Sequence, residues 1–270
     1  MIELRLLEQD KEKNKVSFVL MDSTPSFANI IRRTIIEEVP VMSIEDVEFR
    51  KNNSILYDEM IAHRLGLLPL TTDLKSYNLP GECKCKGKGC ARCQLKLTLK
   101  AKGQGMVYAS EISSKDSAVK PVYPKMPIVK LLKNQSLELE ATAVLGQGKE
   151  HVKWSPAHAY YKNRPVIGID DKRCDGCGKC VEQCPTKTIE IKDNKAAISK
   201  DHLTECHSCN ACVDVCPAGA MTVSPSNDFI FTVESWGQLD CKKILLEASK
   251  LLGNKLDDFS ETLKQAKLSQ

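Results

Sequence analysis

Two stretches hold residues able to do chemistry, and the longer runs from Cys174 to Pro217. It reads Cys174-x-x-Cys177-x-x-Cys180-x-x-x-Cys184-Pro185, then repeats as Cys206-x-x-Cys209-x-x-Cys212-x-x-x-Cys216-Pro217. The duplication uses eight of the 13 cysteines, and each copy ends in an alternating apolar run able to form a strand. A cubane cluster needs four soft thiolates at the corners of a tetrahedron, and a tightly curled C-x-x-C-x-x-C run supplies three of them from one side. Gly176, Gly178, Ser208, Asn210 and Ala211 are small or polar, which lets the backbone come close.

The fourth corner lies on the far side and falls to a remote cysteine that precedes a proline; in two-cluster ferredoxins that cysteine serves the other cluster. One [4Fe–4S] cluster is therefore expected on Cys174, Cys177, Cys180 and Cys216, and a second on Cys206, Cys209, Cys212 and Cys184. Zinc would leave two four-cysteine sites unusually compressed, and disulfides are rare in a reducing cytoplasm. Iron–sulfur is the stronger expectation.

The shorter stretch, PGECKCKGKGCARC at 80–93, holds Cys83-x-Cys85-x4-Cys90-x2-Cys93. Four thiolates this close, separated by glycines, can close a structural four-cysteine zinc site; a reduced or disulfide-linked loop is the alternative. Lys84, Lys86, Lys88 and Arg92 surround it without interleaved aromatics, so solvation or an acidic partner is expected rather than nucleic acid. The five histidines show no pairing at metal-ligand spacing.

The elements that must position these cysteines follow from periodicity. A chain of 270 residues is long enough for two or three domains with their own cores. A net charge of +4 is too small to argue for nucleic acid. The N-terminus lacks the apolar region of a signal peptide, and no apolar run approaches the ~20 residues of a membrane span, so a cytoplasmic chain without a membrane segment is expected. Residues 2–7 and 16–20 read as short strands. Thr24-Pro25 opens a helix with Phe27, Ile30, Ile31, Ile35 and Ile36 at helical spacing, ending near Pro40. Val41, Ile44, Val47 and Phe49 alternate as a strand, and 57–70 is expected to be a short helix. Residues 95–101 and 137–143 alternate cleanly, as do Phe229, Phe231 and Val233.

A long amphipathic helix is expected from Leu239 to Lys267, with Leu245, Ala248, Leu252, Leu256, Phe259 and Leu263 on one stripe and Gly253-Asn254 as a candidate interruption. Such a helix exposes apolar surface unless it lies back on residues 25–39 and also pairs with a helix of another chain. Lone Cys241 near its start is expected to be a small buried hydrophobe.

The segment NIIRRTIIEEVPVMSIEDVEFRKNNSILYDEMIAHRLGLLPL at 29–70 resembles the signature of the D subunit family of archaeal RNA polymerases, related to the bacterial α subunit. The resemblance runs through Asn29, Arg32, Arg33, Pro40, Asn53, Ser54, Asp58, Glu59, Ala62, Arg64, Leu65 and Gly66. It continues in YPKMPIVKLLKNQSLELEATAVLGQGKEHVKWSPAHAYY at 123–161 and so covers nearly the whole chain. Eukaryotic relatives carry a zinc at a loop spaced like 83–93, although the middle gap here is one residue longer.

The resemblance implies an α+β protein with a discontinuous dimerisation domain built from both termini, 1–40 and 226–270. It implies an inserted α+β domain at 41–167 and a ferredoxin-like iron–sulfur domain at 168–225. It further implies a non-catalytic assembly subunit of DNA-directed RNA polymerase. Such a subunit would heterodimerise with a small α-like subunit L and form the platform for the large catalytic subunits and small assembly subunits, with little direct DNA contact. Asn29, Arg32 and Arg33 are the implied partner contacts, with Glu59 and Arg64 bracing the domain junction. The chain itself offers no acidic metal-binding triplet and no glycine-rich phosphate loop. The competing reading is a ferredoxin-type electron-transfer subunit of an oxidoreductase. The cysteine repeat alone favours it, but the flanks carry no flavin or nicotinamide fingerprint.

Overall fold

The computed structural model describes residues 3–199 and 203–266. Position 2 of the expected first strand and Lys267 at the end of the expected last helix lie outside them.

The chain opens with strands β1 (Glu3–Asp10) and β2 (Lys15–Met21), then helix α1 (Pro25–Glu37). The Thr24 hydroxyl caps α1 by accepting from the Phe27 amide at 3.2 Å. Next come β3 (Val41–Asn52), α2 (Asp58–Gly66), β4 (Gln94–Lys102), β5 (Gly105–Tyr108) and β6 (Ser113–Ser114). They are followed by β7 (Pro127–Leu131), β8 (Ser136–Gly146) and β9 (Ala157–Ile169). The cysteine repeat contains α3 (Lys179–Gln183), β10 (Ile189–Lys192), β11 (Lys195–Ile198) and α4 (Ala211–Asp214). The long strand β12 (Met221–Ser235) and the helix α5 (Cys241–Gln265) close the chain. The fold is mixed α+β.

Cα packing separates two compact units: the described parts of Met1–Glu8, Ser17–Ala28 and Tyr160–Thr232, and those of Gln9–Val16, Asn29–Ala159 and Val233–Gln270. In the first, the cysteine repeat leaves and rejoins the neighbouring strands of a sheet ordered β1-β2-β12-β9. Phe18 stacks on Phe231 at 5.3 Å, and Tyr161 sits edge-on to Phe229 at 5.5 Å, which fixes the base of those strands. Strand β12 runs unbroken through Pro225, so positions 168 and 225 both fall near or within strands that continue past them.

In the second unit, β3-β8-β4-β6 form an antiparallel sheet. Leu95, Leu97 and Leu99 of β4 and Leu137, Leu139, Ala141 and Ala143 of β8 turn to one buried face. Lys100 and Glu138 pair at 2.7 Å, and Lys96 and Glu140 at 3.2 Å, on the other face. The register of β3 shifts between Ile44 and Asp46 and between Phe49 and Lys51. At the start of β3 the expected alternation is lost because both faces are covered: Val41, Met42, Ser43 and Ile44 are all buried. Helix α2 is shorter than the expected 57–70, because Pro69 cannot donate to a further turn and Leu70 instead bridges to Pro121. Its Ile61 and Leu65 close the core.

Helix α5 starts on Asp240, whose carboxylate accepts from the Lys243 amide at 2.8 Å. Over 25 residues it spans ~37 Å and is continuous through Gly253. A Cβ at Gly253 would meet nothing within 4 Å, so the glycine costs helix propensity without breaking the helix. Ile244 and Ala248 are buried, whereas every described residue from Gly253 onward is exposed. Lys255 turns back to pair with Glu38 beside the end of α1. Cys241 is half-buried rather than buried. Its thiol donates to the Asn14 carbonyl at 2.9 Å, and burial pushes its pKa up.

Candidate metal centres

The cysteine repeat folds as two copies of one turn. Asp170 prepares the first: its carbonyl accepts from the Cys174 amide at 2.9 Å and its carboxylate holds Arg173 at 2.8 Å. Gly176 and Gly178 then take left-handed backbone angles, φ +73° and +77°. Their counterparts in the second copy, Ser208 and Asn210, do the same at +54° and +61°. Left-handed residues reverse the chain sharply enough for three cysteines to face inward. The expectation of small or polar residues here thus has a specific cause. A short helix, α3 or α4, follows each turn and carries the third cysteine.

The thirteen cysteines are all free. Burial repeats across the copies: Cys174 and Cys206 are half-buried, Cys177 and Cys209 exposed, Cys180 and Cys212 buried, and Cys184 and Cys216 half-buried. One cavity is lined by Cys174, Cys177, Cys180 and Cys216. Another is lined by Cys184, Cys206, Cys209 and Cys212. Two cavities, each ringed by four thiols, suit two copies of one thiolate-bound group.

Backbone amides point at the sulfurs. Ala196 donates to Cys174 Sγ at 3.4 Å, Ala220 to Cys216 Sγ at 3.3 Å, Thr188 to Cys184 Sγ at 3.4 Å and Ser208 to Cys206 Sγ at 3.4 Å. Such donors stabilise ligating thiolates. Burial raises the Cys180 and Cys212 thiols. Burial also works to raise Cys184, but the Thr186 hydroxyl and the Thr188 amide outweigh it and bring the thiol below its ordinary value.

Two polar groups beside the second cavity lie outside the cysteine spacing. The half-buried Lys162 of β9 donates from Nζ to the Cys206 carbonyl at 3.1 Å. Burial lowers its pKa, opposed by the negative charges of Cys206 and Glu205. Thr186 Oγ1 lies 3.6 Å from Cys184 Sγ and 2.7 Å from Thr188 Oγ1. For the threonines a signal was present, since the tail of the first copy reads CPTKT and that of the second CPAGA. For Lys162 nothing in the sequence marked it.

The Cys83–Cys93 loop is built differently. Its sulfurs all lie within 4.8 Å of one another. Cys83 to Cys90 is 3.6 Å, Cys83 to Cys85 and Cys85 to Cys93 are 3.5 Å, and Cys90 to Cys93 is 3.8 Å. A tetrahedron with Zn–S bonds of about 2.3 Å has edges of about 3.8 Å, so the four sulfurs fit a single ion. Hydrogen bonding with the Cys93 and Cys83 thiols lowers Cys85 to about 6, while burial pushes Cys93 up to about 12. One thiolate is thus supported by neighbouring thiols, and a metal must displace protons to bind.

Asn29, Arg32 and Arg33 lie together on α1, and Glu59 and Arg64 on α2. Arg32 donates through Nε and a terminal nitrogen to Asn29 Oδ1, at 3.1 and 2.9 Å. Arg33 forks onto Glu37 at 3.1 and 3.0 Å, which lowers the carboxylate and raises the guanidinium. Arg64 donates to the Pro127 carbonyl at 2.7 Å, tying α2 to the start of β7. Glu59 is exposed in the first turn of α2.

Comparison with known proteins defines the class. Residues 47–170 match the RNA polymerase Rpb3/RpoA insert domain, and residues 166–217 match the 4Fe-4S dicluster domain. The combination is that of a polymerase subunit carrying an iron–sulfur domain. DNA-directed RNA polymerase subunit Rpo3 of Methanosarcina acetivorans is 40% identical over 98% of this chain and 99% of its own. The Archaeoglobus fulgidus protein of that name is 38% identical over 98% and 99%, and that of Methanothermobacter thermautotrophicus 42% identical over 92% and 95%. The chain belongs to the archaeal Rpo3 family, equivalent to the D subunit family, and is a subunit of DNA-directed RNA polymerase. The match over nearly its full length favours that reading over an oxidoreductase subunit. As a polymerase subunit it partners other polymerase subunits. No helix among the described residues is long and apolar enough to cross a membrane.

Proposed function

We propose that this chain is the non-catalytic assembly platform of its polymerase, with the nucleotidyl-transfer site in partner subunits. In this reading the terminal segments 1–40 and 226–270 form the docking body and 41–167 the inserted domain. The iron–sulfur module at 168–225 is carried on them. The docking body pairs with a small α-like subunit L, and the pair recruits the large catalytic and small assembly subunits in the cytoplasm. Asn29, Arg32 and Arg33 serve partner contact, with Glu59 and Arg64 bracing the domain junction.

The observation that carries this reading is the second half of α5. Leu256 is 60% exposed, Phe259 61% and Leu263 40%, at the three-and-four spacing of a helix-pairing face. Fully covering side chains of this size is worth about 1.5–3 kcal/mol each, enough to drive pairing. Replacing Leu256 and Phe259 together by Asp is expected to abolish co-purification with subunit L while leaving the iron content unchanged. Undiminished pairing would sink the proposal.

The metal reading is two [4Fe–4S] clusters, one on Cys174, Cys177, Cys180 and Cys216 and one on Cys206, Cys209, Cys212 and Cys184. A zinc ion sits on Cys83, Cys85, Cys90 and Cys93. The paired cavities and the tight sulfur tetrahedron support these groups. The clusters hold together a small module with little apolar core of its own and so tune assembly. Iron, acid-labile sulfide and zinc per chain, measured after anaerobic purification, test the count. Replacing Cys177 and Cys209 with Ser is expected to weaken recruitment of the large subunits, and unchanged assembly would remove the regulatory part.

A further inference from the structure

The repeat is symmetric in its cysteines but not in what surrounds them. The tail of the first copy places Thr186 and Thr188 after Cys184, and the tail of the second places Ala218 and Ala220 after Cys216. Cys216 Sγ accepts an amide hydrogen from Ala220 at 3.3 Å. Cys184 Sγ accepts the matching amide from Thr188 at 3.4 Å and has the Thr186 hydroxyl at 3.6 Å besides. A ligating thiolate has no proton, so that hydroxyl must be the donor. The half-buried Lys162 places its ammonium on the carbonyl of Cys206, a residue lining the same cavity, at 3.1 Å. Around the first cavity the Cys177 amide donates to the exposed carboxylate of Asp175 at 3.1 Å, and the half-buried Lys195 donates to the Asp171 carbonyl, three residues before Cys174.

We infer that the two clusters are electrically unequal, and that Lys162 and Thr186 make the cluster on Cys184, Cys206, Cys209 and Cys212 the easier one to reduce. The inference rests on the two-cluster reading above. Hydrogen bonds to cluster sulfurs and nearby positive charge favour the reduced form, which carries one more negative charge. A half-buried cation is screened less than an exposed carboxylate, and Lys162 sits on the carbonyl of a ligand residue whereas Lys195 sits on one three residues before the ligands, so Lys162 sets the difference. Glu205 faces Lys162 and tempers its field without cancelling a direct hydrogen bond. Reduction here is the gain of one electron by a [4Fe–4S]²⁺ cluster from a low-potential one-electron donor, and no bond is made or broken. Lys162 and Thr186 are positioning residues for that charge, not ligands.

The test is a dithionite titration of the anaerobically purified full chain, followed by electron paramagnetic resonance, after iron and sulfide have been counted. Two one-electron transitions are expected. Lys162→Met should lower the upper one by about tenfold in its reduction equilibrium, equivalent to about 59 mV, with Lys162→Arg restoring it. Thr186→Val, which keeps shape and removes the hydroxyl, should lower the same transition by less. The lower transition should stay in place throughout. If both variants leave the transitions unmoved, or move both alike, the inference is overturned. Should Lys162→Met lose iron, the near-isosteric Thr186→Val decides alone. A wild-type chain with too little iron for two clusters would instead overturn the two-cluster reading, and this inference with it.

Discussion

The two cysteine-bearing regions use one donor atom for two purposes, and spacing alone separates them. In the 83–93 loop the chain turns back on itself so quickly that four sulfurs come within 4.8 Å, leaving room for one ion. In the 174–216 module, left-handed turns and short helices hold four sulfurs around each of two cavities. The loop closes locally and needs only its own residues. Each cavity of the module takes its fourth cysteine from the other copy, so neither closes until both copies are folded. Local closure suits a metal that staples a loop, and crossed closure suits a group that makes two halves one.

The largest effect expected from breaking this contrast is loss of the loop's metal. Cys85→Ser should release zinc and remove much of the ~10–16 kcal/mol that structural zinc contributes in small sites, while iron and sulfide content stay unchanged. Metal analysis and limited proteolysis within 80–93 would show it; loss of iron as well would mean the regions are not independent. In the intact loop, zinc affinity should rise with pH. Cys93 is pushed up to about 12, so it holds its proton in the metal-free loop across the neutral range and must give it up on binding. Each displaced proton adds about tenfold in apparent affinity per pH unit, measurable by competition with a chelator between about pH 6 and pH 8.

Next in size is a backbone test of the module. At Gly176, where φ is +73°, a Cβ would collide with the Asn194 carbonyl oxygen. Gly176→Ala should therefore cost about 3 kcal/mol or more and lower the iron at both cavities. Ser208 occupies the matching turn with a Cβ already in place at φ +54°, and its contribution to the ligand is a backbone amide. Ser208→Ala should cost less than about 1 kcal/mol and leave the iron intact. Equal losses in the two variants would show that the copies are not built alike.

Much of this was legible in the sequence because the signals were local. The cysteine spacings, the Thr24 cap and the alternation of Leu95, Leu97 and Leu99 each depend on a few neighbouring residues. What the sequence left open lies where distant partners decide the outcome. Strand β12 runs through Pro225 because its neighbours in the sheet continue alongside it. Helix α5 runs through Gly253 because twelve residues follow in good helical sequence up to Gln265, outweighing one glycine's ~1 kcal/mol. Leu67 to Leu70 leave α2 because Leu70 finds a bridge partner at Pro121, some fifty residues away. Lys162 could not have been singled out, since only the packing of β9 brings it to Cys206.

The smallest effect should come from Gly89, where the zinc loop has its own left-handed glycine at φ +88°. A Cβ there would lie 2.5 Å from Gln94 Oε1, closer than ordinary contact but against the end of a flexible side chain. The Gln94 amide can swing aside, whereas the Asn194 carbonyl opposite Gly176 belongs to the backbone and cannot. Gly89→Ala should thus keep its zinc and cost about 1–2 kcal/mol, mostly from the left-handed backbone angle. Thermal unfolding with metal analysis would measure it beside Gly176→Ala. If Gly89→Ala loses its metal as readily as Gly176→Ala loses iron, the local loop is as intolerant of strain as the crossed module. Self-contained closure would then confer no extra tolerance.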